Sequence, residues 1–336
     1  MLVSIVVSTY NRRDVALRTA HTLLQQKFPS SEYEIIVVVD GSADGTAEAL
    51  RALGPRLCVL EQENRGPAGA RNTGARAATG ELLIFLDDDM TCVPELVREH
   101  VAAHFSVEHA DGEEIAGAAG AMAGAGAIAG LGAIYVAPDN PRNLAAEHFN
   151  RGLGAWYLRQ GEHPGEAWPE NVWSFGNTSI RRAVLERAGG FDERFRMRED
   201  GELGVRLRAM GVRQKFVGGA VAYQWCDKSA GALARDAEKF AAADLLFMRT
   251  HPDAIPHDYW RLARRDAFWK RRLRLLLLAR PEMADVALAP LCALGERFSP
   301  LRQAAVRALL LRCGLHWFHR VIELSGKSAE QWLEEK

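Results

Sequence analysis

Leu82-Leu83-Ile84-Phe85-Leu86-Asp87-Asp88-Asp89 is the stretch that decides how this chain is read. Five apolar residues lead directly into three carboxylates. An unbroken apolar run of this length predicts a strand buried on both faces of a parallel sheet. Open α/β sheets bind ligands beyond the carboxyl ends of their strands, where these acids lie. Three adjacent carboxylates repel one another, and a shared cation or ligand hydroxyls would relieve that repulsion. A solvated acidic turn is the alternative that the run alone leaves open.

Upstream, residues 2–9 read as a first strand, and apolar spacing predicts a helix from Asp14 to Gln26. A second apolar run, Glu34 to Val39, ends at Asp40. Gly41-Ser42-Ala43-Asp44-Gly45-Thr46 then turns the chain into a helix to Leu53. A strand at Leu57 to Gln62 and a helix at Ala68 to Ala78 complete the repeat before Leu82. Four strands alternating with three helices argue for an α/β fold with a doubly wound, mostly parallel sheet and flanking helices. Downstream, Trp173 to Ile180 reads as a strand and Arg182 to Ala188 as a helix. A further helix from Glu202 to Met210 lies behind the pair Glu199-Asp200. Residues 116–137 are dominated by Ala and Gly, too weakly apolar for a bilayer span, and read as a flexible or strand-containing surface segment.

At 336 residues, 48% hydrophobic, the chain has ample material for more than one core. The formal net charge of −1 gives no global signal for polyanion binding. Residues 1–227 carry 23 basic and 30 acidic groups, whereas residues 228–336 carry 19 and 13. The basic excess therefore lies in a mainly helical C-terminal region. Within it, Arg261 to Arg280 interleaves seven arginines and a lysine with leucines, Phe268 and Trp269. Such a helix suits peripheral contact with an anionic membrane, or packs its Leu face on the protein. No nucleic-acid module accompanies the charge, so no nucleic-acid partner is expected. Five scattered cysteines and a first strand without a basic leader point to a reduced, cytoplasmic setting, with the inner membrane face as a peripheral location.

Taken in order, several motifs resemble the family 2 glycosyltransferases with the GT-A fold, over about residues 2–225. They are Val3 to Arg12, Val37 to Ser42 with Asp44-Gly45-Thr46, and Asn64-Arg65-Gly66 with Ala70-Arg71-Asn72. Asp87-x-Asp89, Gly176-Asn177, Gly189-Gly190-Phe191-Asp192 and Glu199-Asp200 follow. The resemblance implies a nucleotide-sugar half over 1–100, an acceptor half over 101–227 and a helical extension over 228–336. It implies an inverting transfer from a nucleoside-diphosphate sugar, with UDP the expected nucleotide, to a hydroxyl of a saccharide or lipid-linked acceptor in cell-surface polysaccharide or glycolipid synthesis.

The same resemblance implies the roles. Thr9, Tyr10, Asn11, Arg12, Asp40, Ser42, Arg71, Asp87 and Asp88 would line the nucleotide sugar, with Asp40 accepting a hydrogen bond from the base. Asp89, with Asp87, would hold Mg2+ or Mn2+. Asp200 would be the catalytic base and Glu199 its neighbour. Trp173, Gly176, Asn177 and Trp225 would face the acceptor. Many relatives carry a His after the strand that follows the Glu-Asp helix. This chain has Tyr223-Gln224-Trp225 there, leaving His251 or His257 as substitutes.

Two other readings compete. Asp87-Asp88-Asp89-Met90-Thr91 also matches the Asp-x-Asp-x-Thr of haloacid-dehalogenase-type phosphohydrolases, although that motif normally ends the first strand of its domain. An inactive binding protein of GT-A fold is the other. A dinucleotide dehydrogenase is excluded because no Gly-x-Gly-x-x-Gly follows the first strand.

Overall fold

The computed structural model describes residues 3–105, 127–152, 154–155, 157, 159, 173–254, 281–328 and 331. The chain forms two compact units. One is Met1–Pro138 with Leu153–Trp225; the other is Asp139–Gly152 with Cys226–Lys336.

The first unit is built on one eight-stranded sheet. Its strands are β1 (Val3–Thr9), β2 (Tyr33–Asp40), β3 (Leu57–Gln62), β4 (Leu82–Asp87), β5 (Met90–Cys92), β6 (Ile128–Val136), β7 (Asn177–Arg181) and β8 (Arg213–Gln224). Their spatial order is β3-β2-β1-β4-β7-β6-β8-β5. The β1–β2, β2–β3, β1–β4 and β6–β8 pairs are parallel, while β7 and β5 run against their neighbours. This is the mostly parallel, doubly wound sheet that the β-α alternation predicts. Apolar residues of β1, β2 and β4 are almost fully buried because helices cover both faces. The helices are α1 (Arg13–Leu24), α2 (Thr46–Arg51), α3 (Gly66–Ala77), α4 (Leu96–Phe105), α6 (Arg182–Arg187) and α7 (Glu199–Ala209); α5 belongs to the second unit.

Three expectations are corrected. The strand expected from Trp173 begins only at Asn177. Helix α7 starts at Glu199, three residues before the expected Glu202, so the acidic pair is its first turn. The Ala/Gly-rich segment, where described, does contain a strand, but not at the surface: β6 lies inside the sheet with Ala129 to Ile134 buried. Its small residues make room for neighbours. A Cβ on Gly132 would collide with the Asn177 side chain, and the β6–β8 register shifts there, between Gly132 and Ala133. Residues 116–126 lie outside the described residues.

Beneath the sheet, α4 aims His100 and His104 at β7. The imidazole Nε2 of His100 is 3.0 Å from Asn177 Oδ1 and its Nδ1 is 2.8 Å from Ser179 Oγ. The same hydroxyl lies 2.9 Å from His104 Nε2. These buried polar groups satisfy one another.

The second unit packs α5 (Leu144–Arg151), α8 (Ala230–Thr250), α9 (Pro281–Arg297) and α10 (Arg302–Ser325) around Leu309, Cys313, Trp317, Phe318 and Val321. Arg312 grips Asp285 with two nitrogens at 2.6 and 2.9 Å, and the Trp317 indole N–H donates to Asp244 at 2.9 Å. Residues 255–280, with the arginine-rich segment and His257, lie outside the described residues. Among the described residues no helix is long and apolar enough to cross a membrane.

Candidate active site

Sheet register gathers the acidic residues. In the β1–β4 ladder Ser8 stands opposite Asp87, and Thr9 stands opposite Val39, one residue before Asp40. All three strands therefore end at one edge. Because β7 runs antiparallel to β4, its start comes to the same edge, with Asn177 opposite Leu86. Gly176 then accepts a hydrogen bond from the Asp87 N–H at 2.9 Å. A Cβ on Gly176 would stand 2.6 Å from Asp87 Oδ2, so only glycine leaves that carboxylate its place. On the other side, β5 pairs with the end of β8, which sets Gln224 opposite Met90. The Trp225 N–H donates to the Asp89 carbonyl at 2.7 Å.

The three carboxylates occupy different environments. Asp88 points inward and is 6% exposed. It accepts from the Thr9 hydroxyl at 2.7 Å and from Arg12 Nη1 at 2.8 Å. Burial raises its pKa, opposed by Arg12 and Thr9. Asp89 shares Arg12 at 3.2 Å, and Gln224 Nε2 lies 3.5 Å from each of its oxygens. Its pKa is pushed up to about 7, first by burial and further by Asp87 and Asp88, against the pull of Arg12. Asp87 is the most accessible of the three, its side chain about one-third exposed, and Arg71 Nη2 donates to it at 2.8 Å.

This cluster holds surplus negative charge on hard oxygen donors, which fits Mg2+ or Mn2+. Among the described residues no three His, Cys, Asp or Glu side chains are grouped to hold a metal.

The second acidic group faces the first through one arginine. Arg71, on α3, also donates from Nη1 to Glu199 at 2.5 Å, so it spans Asp87 and Glu199. Its side chain is 8% exposed and that of Glu199 10%. Phe191 lies under the guanidinium, 5.6 Å from its ring centre, within a trio of edge-to-face rings with Phe85 and Phe175. The Asp200 carboxylate accepts from its neighbour's N–H, Gly201, at 2.7 Å. Burial first, then repulsion from Glu199, raises its pKa to about 7, while Arg71, Gly201 and Arg198 oppose the rise. A carboxylate so placed is suited to accepting a proton near neutrality.

Residues 4–112 match the family model described as Glycosyl transferase family 2. Over 292 residues the chain is 30% identical to validoxylamine A glucosyltransferase of Streptomyces hygroscopicus subsp. jinggangensis, covering 80% of this chain and 65% of that protein. Residues 4–112 thus carry a glycosyl transferase family 2 domain. The chain spans just under two thirds of the length of that relative. Among solved structures, the mannosyltransferase PcManGT of Pyrobaculum calidifontis, in complex with GDP-Man and Mn2+, superposes with a TM-score of 0.59 at 21% identity. That match covers 97% of this chain and 87% of the neighbour. Residues 1–349 of Staphylococcus aureus TarS, in complex with UDP-GlcNAc, give 0.52 at 17% identity over 97% and 93%. At these identities the likeness shows the fold, which is GT-A.

That match also orders the sequence expectations. Within it the acidic run ends the fourth strand and Asp87 is held by Arg71, so the phosphohydrolase reading is set aside. Arg71, expected against the nucleotide, is buried between two carboxylates. Asp40, expected on the base, is 3% exposed. Both its oxygens are occupied, by Gln62 Nε2 and the N–H groups of Arg65 and Gly66. It fastens the start of α3. Asn11 and Ser42 interlock two loops: the Asn11 N–H donates to Ser42 Oγ, and Asn11 Oδ1 accepts from the Ala43 N–H.

On the acceptor side, Trp173 is a core residue pressed on Gly204 of α7. Asn177 turns into the sheet, donating to the carbonyls of Ala133 and Ala220. Trp225 is partly exposed with the Arg18 guanidinium 4.3 Å from its ring centre. Tyr10 is half exposed at the strand edge. Gln224 went unnoticed as a site residue because its neighbour Asp89 is reached only through the long-range β5–β8 pairing.

Proposed function

We propose that this chain is a divalent-cation-dependent, inverting glycosyltransferase that takes a sugar from a nucleoside-diphosphate sugar to an acceptor hydroxyl. The observation that carries this reading is Arg71 bridging the acidic strand end to the Glu199-Asp200 helix start. Two carboxylate groups with different neighbours suit two tasks.

In this reading Asp89 anchors the cation and Asp87 lies at the donor ribose. A bound Mg2+ or Mn2+ would offset the charge that grows on the leaving diphosphate. Thr9, Arg12 and Asp88 form a fixed base beneath the donor, holding Asp89 in place. Tyr10 offers an exposed ring for the base. Arg71 occupies Glu199, which leaves Asp200 to accept the proton of the attacking hydroxyl. With one base and direct attack the anomeric configuration inverts. The centre passes through the oxocarbenium-like character known from glycoside hydrolysis, with a hydroxyl in place of water.

The complexes of PcManGT with GDP-Man and Mn2+ and of TarS with UDP-GlcNAc support a nucleotide-sugar donor and a divalent cation. UDP is the nucleotide we assign first, and a saccharide or lipid-linked hydroxyl is the acceptor class. Thermal shift with a panel of nucleotides and nucleotide sugars, with and without Mn2+, tests the reading. A cation-dependent rise in melting temperature with one nucleoside diphosphate and its sugars is expected. No shift with any nucleotide would contradict it.

A further inference from the structure

Large apolar side chains seldom stay exposed in clusters without a purpose. Of the seven exposed among the described residues, four fall within residues 286–301 of the second unit. They are Val286 at 77%, Leu294 at 43%, Phe298 at 53% and Leu301 at 38%. Helix period explains the grouping. On α9 the exposed residues Val286, Pro290, Ala293, Leu294 and Arg297 recur at the spacing of one helix face. The other face is occupied. Leu288, Leu291 and Cys292 pack with the α10 core, and a Cβ on Gly295 would collide with Ala305. Phe298 donates its N–H to the Leu294 carbonyl at 2.8 Å, so it continues the helical path one turn beyond Leu294. Leu301 closes the short turn, Ser299–Leu301, that leads into α10.

The charge around this face has one sign. Arg297 lies on the stripe, Arg302 follows Leu301, and Arg307 is exposed further along α10. Among the described residues none of the three pairs with a carboxylate, whereas Arg312 and Arg320 on the same helix do. Glu296 is the one acid between residues 286 and 310. It is turned to α5, where it accepts from the Leu144 N–H at 3.1 Å. In sequence the face is preceded directly by Arg261 to Arg280, with seven arginines and a lysine. A second copy of the chain suits this face poorly. A two-fold contact sets the same patch against itself, and the unpaired arginines with it. An apolar stripe edged by cations, with an aromatic ring and a leucine at its end, matches the boundary of an anionic bilayer. There apolar side chains enter the headgroup region while arginines meet phosphates.

We propose that the outward face of α9 and the turn after it dock on an anionic membrane surface. Phe298 and Leu301 enter the headgroup boundary with Val286 and Leu294 beside them, while Arg297, Arg302 and Arg307 meet lipid phosphates. The contact is peripheral. It requires neither the sugar donor nor the cation of the proposed reaction, so its failure would leave that reading untouched.

The test is sedimentation of the full chain with phosphatidylcholine vesicles, with and without phosphatidylglycerol. Wild type should be retained mainly by the mixed vesicles, and added salt should release part of it. Joint replacement Phe298→Ser and Leu301→Ser should weaken retention at least about tenfold, because two apolar side chains leave the interface. Arg297→Gln and Arg307→Gln should each weaken it about fivefold on the mixed vesicles. Leu324→Ser, a comparably exposed leucine at the other end of α10, should bind as wild type does. No retention of wild type overturns the proposal. So does wild-type retention in the double variant or in both arginine variants, which would place the contact elsewhere in the chain. Analytical ultracentrifugation of the same samples without lipid gives the remaining outcome. A wild-type dimer that the double variant dissolves would put a second copy on this face and overturn the lipid assignment.

Discussion

Arg71 ties Asp87 to Glu199: one guanidinium nitrogen reaches each carboxylate, at 2.8 and 2.5 Å. The two acids come from distant parts of the chain and from different elements, the end of β4 and the first turn of α7. A buried cation between them does two things. It offsets repulsion that would drive the acidic edge apart, and it fixes which member of the Glu199-Asp200 pair is occupied. The pull on Arg71 is correspondingly strong, its pKa rising above the ordinary value because Glu199, Asp87 and Asp200 outweigh its burial.

Removing that cation should be costly. Arg71→Ala leaves Glu199 buried without its partner, and breaking such a pair costs about 3–5 kcal/mol. Urea unfolding should show a loss of that order. Arg71→Lys retains a charge but cannot span two carboxylates as a planar fork does, so it should recover only part of the stability.

The pH dependence of turnover follows from Asp200. It must be ionised to accept a proton, and its pKa lies at about 7. The rate should fall about tenfold per unit below that pH. Glu199→Gln removes the repulsion that helps raise this pKa while leaving Arg71 in place. Its acid limb should therefore move to lower pH. A limb that stays fixed in Glu199→Gln would show that the two carboxylates do not interact.

Asp40 gives a prediction separable from substrate binding. Its oxygens fasten the N–H groups of Arg65 and Gly66 at the start of α3. Asp40→Ala should cost about 1–2 kcal/mol without any nucleotide present, as loss of a helix cap does. Unchanged unfolding with weaker nucleotide binding would instead return Asp40 to the role expected from sequence.

His100 and His104 set acid stability. Burial lowers their pKa values to about 4 and about 3, and for His104 the neighbouring His100, Arg181 and Lys215 add to the lowering. Both folded values lie below the unfolded value of about 6.5. Their contribution is therefore complete above about pH 6.5. It declines as the pH falls toward 4 and 3, where the unfolded chain takes up protons that the folded chain refuses. At about 1.4 kcal/mol per unit, His100 alone accounts for roughly 3 kcal/mol. The urea midpoint should drop across this range, and His100→Gln should flatten the drop.

The fold was legible because buried parallel strands are apolar runs that need no partner to be recognised. Asp87-Asp88-Asp89 and Glu199-Asp200 announced themselves as charges at element ends. What sequence could not carry was direction. Whether Asp40 faces a ligand or a helix start depends on where α3 begins, and the structure places its first N–H groups on that carboxylate. Trp173 and Asn177 were expected at the acceptor; Trp173 packs on Gly204, and the pairing of β7 with both β4 and β6 sets Asn177 within the sheet. The glycines of β6 suggested a loose segment, yet Gly132 is the space that Asn177 fills and Gly130 the space against Ser179.

The central claim is that Asp200 is the proton acceptor of a cation-dependent sugar transfer. The measurement closest to it is the rate of nucleoside-diphosphate release from the preferred nucleotide sugar at saturating Mn2+, in wild type and Asp200→Asn, with nucleotide affinity measured on the same samples. The account predicts a fall of about 100-fold or more at unchanged affinity. An undiminished rate in Asp200→Asn would contradict it.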